Sequence, residues 1–367
     1  MNITFYLLYM PPKADPKKGA KAGEAEPAVD VAKVMKDLKP RWERLSATVG
    51  VPLESKVGVR GYDFVLFRFG SARYCGALVF SLLVQVVSRF EECLKNATRR
   101  LCFEEEEPSA ASARIFLIGL YESFRDQKID KLSNQIRKLC FWRSPIADEG
   151  CISLAQLLKF GSVHYLELMD NRMTASSMDA LSDAFAVCPL VSIAIDFNDI
   201  GDDGVARLCS GLKLSKKLES LSLSYCNVGG RGAAELATHV LPNVTSLKNL
   251  DLQGNFVRND GMAALGAALA ENTCLESLNL SDNSIEDHVE SVAAFRDGVQ
   301  QNTTLQSINL GGNLIGEDCA KLLAEMLASK SNISSFRVTT QLQSELFNAC
   351  FRDGGGKKKG KGKKGKK

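Results

Sequence analysis

The chain has 367 residues, long enough for one extended domain and a smaller N-terminal region. Its 11 cysteines are scattered without a CxxC pair, which argues against a disulfide framework and for small buried hydrophobes in a reducing compartment. The formal charge of +3 hides an asymmetry: residues 136–350 hold 16 Lys+Arg against 25 Asp+Glu, a net of −9, while residues 357–367 hold eight lysines and no acid.

In chain order, MNITFYLLY lacks a basic n-region and has a very short apolar run, so no signal peptide is expected. Met10 reads equally well as a start, opening the basic leader MPPKADPKKGAKAG. Residues 1–28 are predicted to be disordered, having almost no large apolar side chain beyond Met10. Residues 29–131 are expected to be mostly helical, with least certainty over 50–100. DVAKVMKDLK forms a helix before Pro40. The apolar run Cys75–Val87 is too short for a membrane span and is read as a buried helix. An interfacial segment, or a stretch foreign to the repeat domain, is the alternative. FEEEEP at 103–108 is an acidic break, and SAASARIFLIGLYESFRDQKIDKLS is a helix leading into the next region.

From Ile136 onward one phrase recurs. Its first positions are Ile136, Val163, Leu190, Leu218, Leu247, Leu275, Leu305 and Ile333, 27 to 30 residues apart. Apolar residues also fill its fourth and sixth positions, for example Leu250/Leu252 and Leu278/Leu280, and period-two alternation predicts a short strand. The ninth position is Ser144, Asn171, Asn198, Cys226, Asn255, Asn283, Asn313 and Gln341. A carboxamide there can satisfy the backbone of a sharp turn. Stretches such as GDDGVARLCSGL and GEDCAKLLAEML carry helical spacing, with acids in the first turn that suit the helix dipole.

This phrase is that of a leucine-rich repeat, and a unit with a full helix and strand resembles the ribonuclease-inhibitor subclass. The resemblance covers about residues 136–341. It implies an α/β leucine-rich repeat solenoid, a horseshoe with parallel strands inside and helices outside, of about 8 units over residues 132–350. The basic leader with the Gly/Lys tail resembles leucine-rich repeat proteins of cilia and flagella, including the repeat subunit of the dynein regulatory complex. That implies a docking role on a cytoskeletal assembly and a cytoplasmic, ciliary location. Asn198-Asp199-Ile200-Gly201-Asp202-Asp203-Gly204 matches a turn of Ran GTPase-activating proteins, but that family's pattern ends in an acidic tail and no matching catalytic Arg loop is found here.

The chemistry-bearing residues point away from catalysis. His164, His239 and His288 share no metal-ligand spacing. Gly229-Gly230-Arg231-Gly232 lacks a Walker pattern, and the repeat turn explains its glycines. No enzymatic activity, cofactor, metal or small-molecule substrate is expected. Asn2, Asn96, Asn243, Asn302 and Asn332 head glycosylation sequons that matter only in a secreted protein.

In such a solenoid the residues between the buried strand positions face the concave side. The candidate partner-binding residues are Trp142, Tyr165, Glu167, Asp196, Phe197, Glu219, Tyr225, Asp251, Glu276 and Asp282. Tyr165, Phe197 and Tyr225 belong to consecutive units among acids, a surface for a protein partner with a basic, partly apolar segment. The alternative is a strand face whose aromatics contact only one another. Residues 351–367 are predicted to be a disordered tail. Lys357, Lys358, Lys359, Lys361, Lys363, Lys364, Lys366 and Lys367 suit loose, salt-sensitive contact with a polyanion such as tubulin's acidic tails, nucleic acid or an anionic surface, or serve only solubility.

Overall fold

The computed structural model describes residues 53–59, 62–67, 100–104, 136–160 and 163–353. The leader, the helix expected before Pro40, the apolar run 75–87, the helix expected over 109–133 and the lysines of the tail lie outside these residues.

The recurring phrase forms short strands: β4 (Lys138–Trp142), β5 (Tyr165–Met169), β6 (Ser192–Ala194), β7 (Ser220–Ser222), β8 (Asn249–Asp251), β9 (Ser277–Asn279), β10 (Ser307–Asn309) and β11 (Ser335–Arg337). Each is parallel to the next and in register, so that Leu221, Leu250, Leu278 and Ile308 stack in one row. Between them run the helices α1 (Ala147–Phe160), α2 (Ala175–Phe185), α3 (Gly201–Leu212), α4 (Gly230–Glu235, continued by a π turn), α5 (Arg258–Glu271), α6 (Val289–Gln301) and α7 (Glu317–Ser329). Fourth- and sixth-position side chains meet the helices' apolar faces in one continuous core, with Leu252 and Leu280 fully buried.

In the N-terminal region expected to be mostly helical, only three short stretches are described. All three are strands: β1 (Leu53–Val59) and β2 (Tyr62–Phe67) form an antiparallel hairpin, and β3 (Arg100–Glu104) joins the main sheet. Among the described residues that sheet has nine strands, in the order β11 to β3. RLCFE of β3 pairs with KLCFW of β4, placing Leu101 beside Leu139 and Cys102 beside Cys140. The similarity was hidden by a gap of 38 residues between partners, longer than the repeat spacing. Residues 103 and 104 of the expected acidic break belong to this strand.

The ninth-position asparagines form a buried ladder. Asn255 Oδ1 accepts from the Cys226 and Val228 amides, while its Nδ2 donates to the Leu223 and Leu252 carbonyls. Asn198 and Asn313 repeat this pattern. At Cys226 the thiol donates to the Ile195 carbonyl instead. The ladder fades at both ends: Asn171 Oδ1 is buried with no hydrogen-bond partner among the described residues, and Gln341 is exposed.

A second asparagine row closes the helices' C-terminal ends, and it had no place in the sequence reading. Asn272 donates to the Leu241 carbonyl, Asn302 to those of Leu269 and Asn272, and Asn332 to that of Leu305. The sequon residue Asn302 is thus 1% exposed with its amide nitrogen engaged. Most described cysteines are buried, as expected, and burial pushes the thiols of Cys151, Cys209, Cys226 and Cys319 up to about 12. Cys102 and Cys274 are the exceptions, both half-buried.

At the C-terminal end, helix α8 (Ser344–Cys350) leads into a short return. Arg352 pairs antiparallel with Phe336 of β11, and its guanidinium donates to the carbonyls of Leu327, Lys330 and Ile333. A cation on the last carbonyls of α7 favours that end of the helix dipole.

Candidate functional site on the concave strip

Left-handed positions recur in the turns after β4 to β10, two in each turn but the last, which has one, and the first of them shapes the candidate surface. The phrase's eighth position is Arg143, Asp170, Phe197, Tyr225, Gly254, Asp282 and Gly312, and every one has φ between +50° and +71°. This backbone sends the eighth side chain sideways toward the next repeat. The Phe197 and Tyr225 rings stack with centroids 4.7 Å apart and planes 6° from parallel. Tyr225 in turn lies over Gly254, where a Cβ would come within 2.3 Å of the ring. Gln253 Nε2 donates to the Tyr225 hydroxyl and to Asp282 Oδ2. The result is a fixed row, acid–aromatic–aromatic–glycine–acid, running from Asp170 to Asp282.

Tyr165 does not belong to this row. It occupies the third position, at the start of β5 beside Lys138 and Ser192, and is 45% exposed. Five residues separate it from its own repeat's eighth position, about 15 Å along the strand. The expected aromatic trio is a pair plus a distant tyrosine.

Several of the expected acids are already occupied. Glu167 accepts from Lys138 Nζ and from the Trp142 indole, and the Arg100 guanidinium covers the Trp142 ring at 5.1 Å. Glu219 pairs with Lys248 at 2.8 Å, which holds the Lys248 ammonium above the ordinary lysine range. Asp196 is 5% exposed and accepts from Ser222 Oγ at 2.6 Å and the Ser224 amide at 2.9 Å. Burial pushes its carboxyl up to about 6 despite those bonds, and the charges of Asp251 and Glu167 add to the rise. Asp251 is half-buried and accepts from Ser224 Oγ, the Gln253 amide and Asn279 Nδ2. Glu276 is half-buried and Asp282 exposed. The concave acids are therefore partly structural, tying each repeat to the next.

Among the described residues no group of three or more His, Cys, Asp or Glu is placed to hold a metal. His288 caps α6, its Nδ1 accepting from the Ser291 amide. The glycine turn at 229–232 is closed to a phosphate, because Asp202 Oδ1 takes the Gly229 and Gly232 amides. The same carboxylate joins one repeat to the next helix's N-terminus.

The family described as Leucine Rich repeat matches residues 188–209, 214–237 and 271–288, which include Phe197, Tyr225 and Asp282 of this row. The repeats are ribonuclease-inhibitor-type leucine-rich repeats. Among relatives, mouse ribonuclease inhibitor is 29% identical over 197 residues, covering 44% of this chain and 43% of that protein. Mouse Protein NLRC5 is 31% identical over 160 residues, 43% of this chain and 8% of its own length. Human NACHT, LRR and PYD domains-containing protein 13 is 33% identical over 135 residues, 36% of this chain and 13% of its own length. The chain thus spans less than half the length of each of these relatives. Leucine-rich repeat domains of this kind generally serve protein–protein interaction. No described helix of this leucine-rich repeat protein is long and apolar enough to cross a membrane.

Proposed function

We propose that the protein is a non-enzymatic adaptor that binds a protein partner on its concave face, centred on Phe197 and Tyr225. One observation carries the reading: two bulky aromatics in adjacent repeats occupy left-handed backbone where the other repeats use Arg143, Asp170, Gly254, Asp282 and Gly312. An L-residue there costs roughly 1–2 kcal/mol, and the ring stack returns roughly 0.5–1.5 kcal/mol. Stability alone does not favour these residues over glycine. An exposed Tyr225 stacked on a half-buried Phe197, flanked by Asp170 and Asp282, suits a basic, partly apolar segment.

The test is the double variant Phe197→Gly/Tyr225→Gly, which keeps the backbone geometry. Stability should change by less than about 1 kcal/mol, while proteins captured by the wild type through basic segments are lost. An unchanged captured set moves the binding site elsewhere. The ribonuclease inhibitor relatives favour a second reading, a soluble inhibitor of one partner protein. The ciliary or cytoskeletal setting, with tubulin as a partner of the lysine tail, draws only on the composition of the chain's ends. Imaging a tagged chain in ciliated cells separates the two, since only the scaffold reading expects axonemal signal. Stimulated GTP hydrolysis by a small GTPase would instead favour the Ran-regulator alternative.

A further inference from the structure

At the opposite edge of the sheet from the aromatic row, where the strands begin, an open groove of about 730 Å³ crosses the last repeats. Equivalent positions of successive units line it, and their hydrogens are turned inward. Ser246 Oγ donates to the Leu218 carbonyl, Thr304 Oγ1 to Leu275, Ser334 Oγ to Gln306 and Asn332 Nδ2 to Leu305. The three hydroxyls thereby turn lone pairs to the groove, beside the side-chain donors of Thr245, Thr273, Thr303 and Gln306. Glu219 and Glu276 add two carboxylates against one cation, Lys248, and Lys248 is held by Glu219. Glu276 has no ion-pair or side-chain hydrogen-bond partner among the described residues. A polar groove with a net negative charge, outward acceptors and the Glu276 carboxylate suits a cationic, donor-rich segment.

The chain's own sequence carries such a segment. Arg352 pairs antiparallel with Phe336 of β11, which directs the described chain, ending at Asp353, toward the strand-start side where Ser334 and Asn332 line the groove. Residues 354–367 follow: fourteen residues with eight lysines, no acid and no side-chain acceptor. A lysine ammonium offers three donors and accepts none. Glu219 lies four strands from β11, about 20 Å at the usual strand spacing. Fourteen residues reach at most about 50 Å, so the segment can run the groove's length.

We infer that this groove is the docking site of the chain's own lysine segment, residues 354–367, bound in cis along the strand-start edge. The inference is independent of the aromatic row, which occupies the other edge. Tethering raises the effective concentration to about the millimolar range, so individually weak, screened contacts suffice, and the occupancy should fall with salt. With the segment removed, the groove is left open to a lysine-rich stretch from elsewhere.

Carbodiimide coupling of the full chain at low salt, read by mass spectrometry, tests this directly. Lys357–Lys367 should couple chiefly to Glu276 and Glu219. In a mixture of light and heavy isotope chains, the coupled pairs should stay within one isotope. Glu276→Gln should remove most of the coupling without altering the melt. As a second measurement, a fluorescent peptide of residues 354–367 should bind a chain ending at Asp353 about tenfold or more tighter than it binds the full chain. Coupling spread over surface acids such as Glu317 and Asp318, coupling between copies, or equal peptide binding by the two chains would each overturn the inference. So would peptide binding by neither.

Discussion

Two buried polar side chains illustrate how much single residues decide here. Asn255 makes five hydrogen bonds, three through Nδ2 and two through Oδ1. Asn255→Ala would leave two buried amides without partners, and at roughly 1–3 kcal/mol each the chain should lose roughly 2–6 kcal/mol in a urea melt. Asp196 acts through pH. Its folded pKa of about 6 lies above that of an unfolded aspartate, so folding favours the protonated form. The stabilisation is complete below about pH 4 and is lost as the pH rises through about 6, a loss on the order of 3 kcal/mol. Asp196→Asn keeps an acceptor for Ser222 and the Ser224 amide. It should therefore raise the melting temperature at about pH 7.5 and do little at about pH 4; equal shifts at both would remove Asp196 as the titrating group. The asparagine's spacing was legible in the sequence. The aspartate's burial was not, because strand alternation places it on the exposed side and only the neighbouring repeat's serines cover it.

Among elements, the helices pack through small residues. A Cβ on Gly298 of α6 would meet the Gly266 carbonyl oxygen of α5 at 1.7 Å, and one on Gly211 of α3 would meet that of Ser182 of α2 at 1.9 Å. Alanine is the better helix former by about 1 kcal/mol, yet Gly298→Ala should destabilise, by about 3 kcal/mol, because the backbones must separate. A stabilised variant in thermal denaturation would show that this seam can open without loss. In the strands, Leu252→Ala and Leu280→Ala should each cost roughly 2–5 kcal/mol as core truncations, measured by chemical denaturation. Losses below about 1 kcal/mol for both would break the assigned register. That register was readable in the sequence, since a two-residue period admits one buried set. The eighth-position row was present in the same alignment. It went unread because its common property is a backbone angle, shared by arginine, aspartate, aromatics and glycine alike.

Taken as one molecule, the solenoid stands on contacts between neighbours, so its ends limit it. Arg352 ties the final turn to three carbonyls of the last repeat. Arg352→Ala should therefore raise amide exchange over residues 305–353 first and leave 163–250 nearly unchanged. Uniform loss of protection along the chain would mean that the repeats unfold as one unit. At the other end, β3 extends the sheet beyond the first phrase of regular spacing, so the boundary set at residue 132 by repeat spacing falls inside the sheet.

The sequence by itself determined the repeat, its strand register and its asparagine ladder, because each is a local periodicity bound to backbone geometry. It also showed the charge division between an acidic body and a lysine-rich end. Only the tertiary structure decided which concave groups are spent and which are presented. Glu167, Asp196 and Glu219 look alike in the linear text, but partners 26 to 29 residues away engage them. The stacking of Phe197 on Tyr225 depends likewise on turns that bring residues of adjacent repeats within 5 Å. Contacts between repeats are set by the superposition of units, and no single unit's sequence records them.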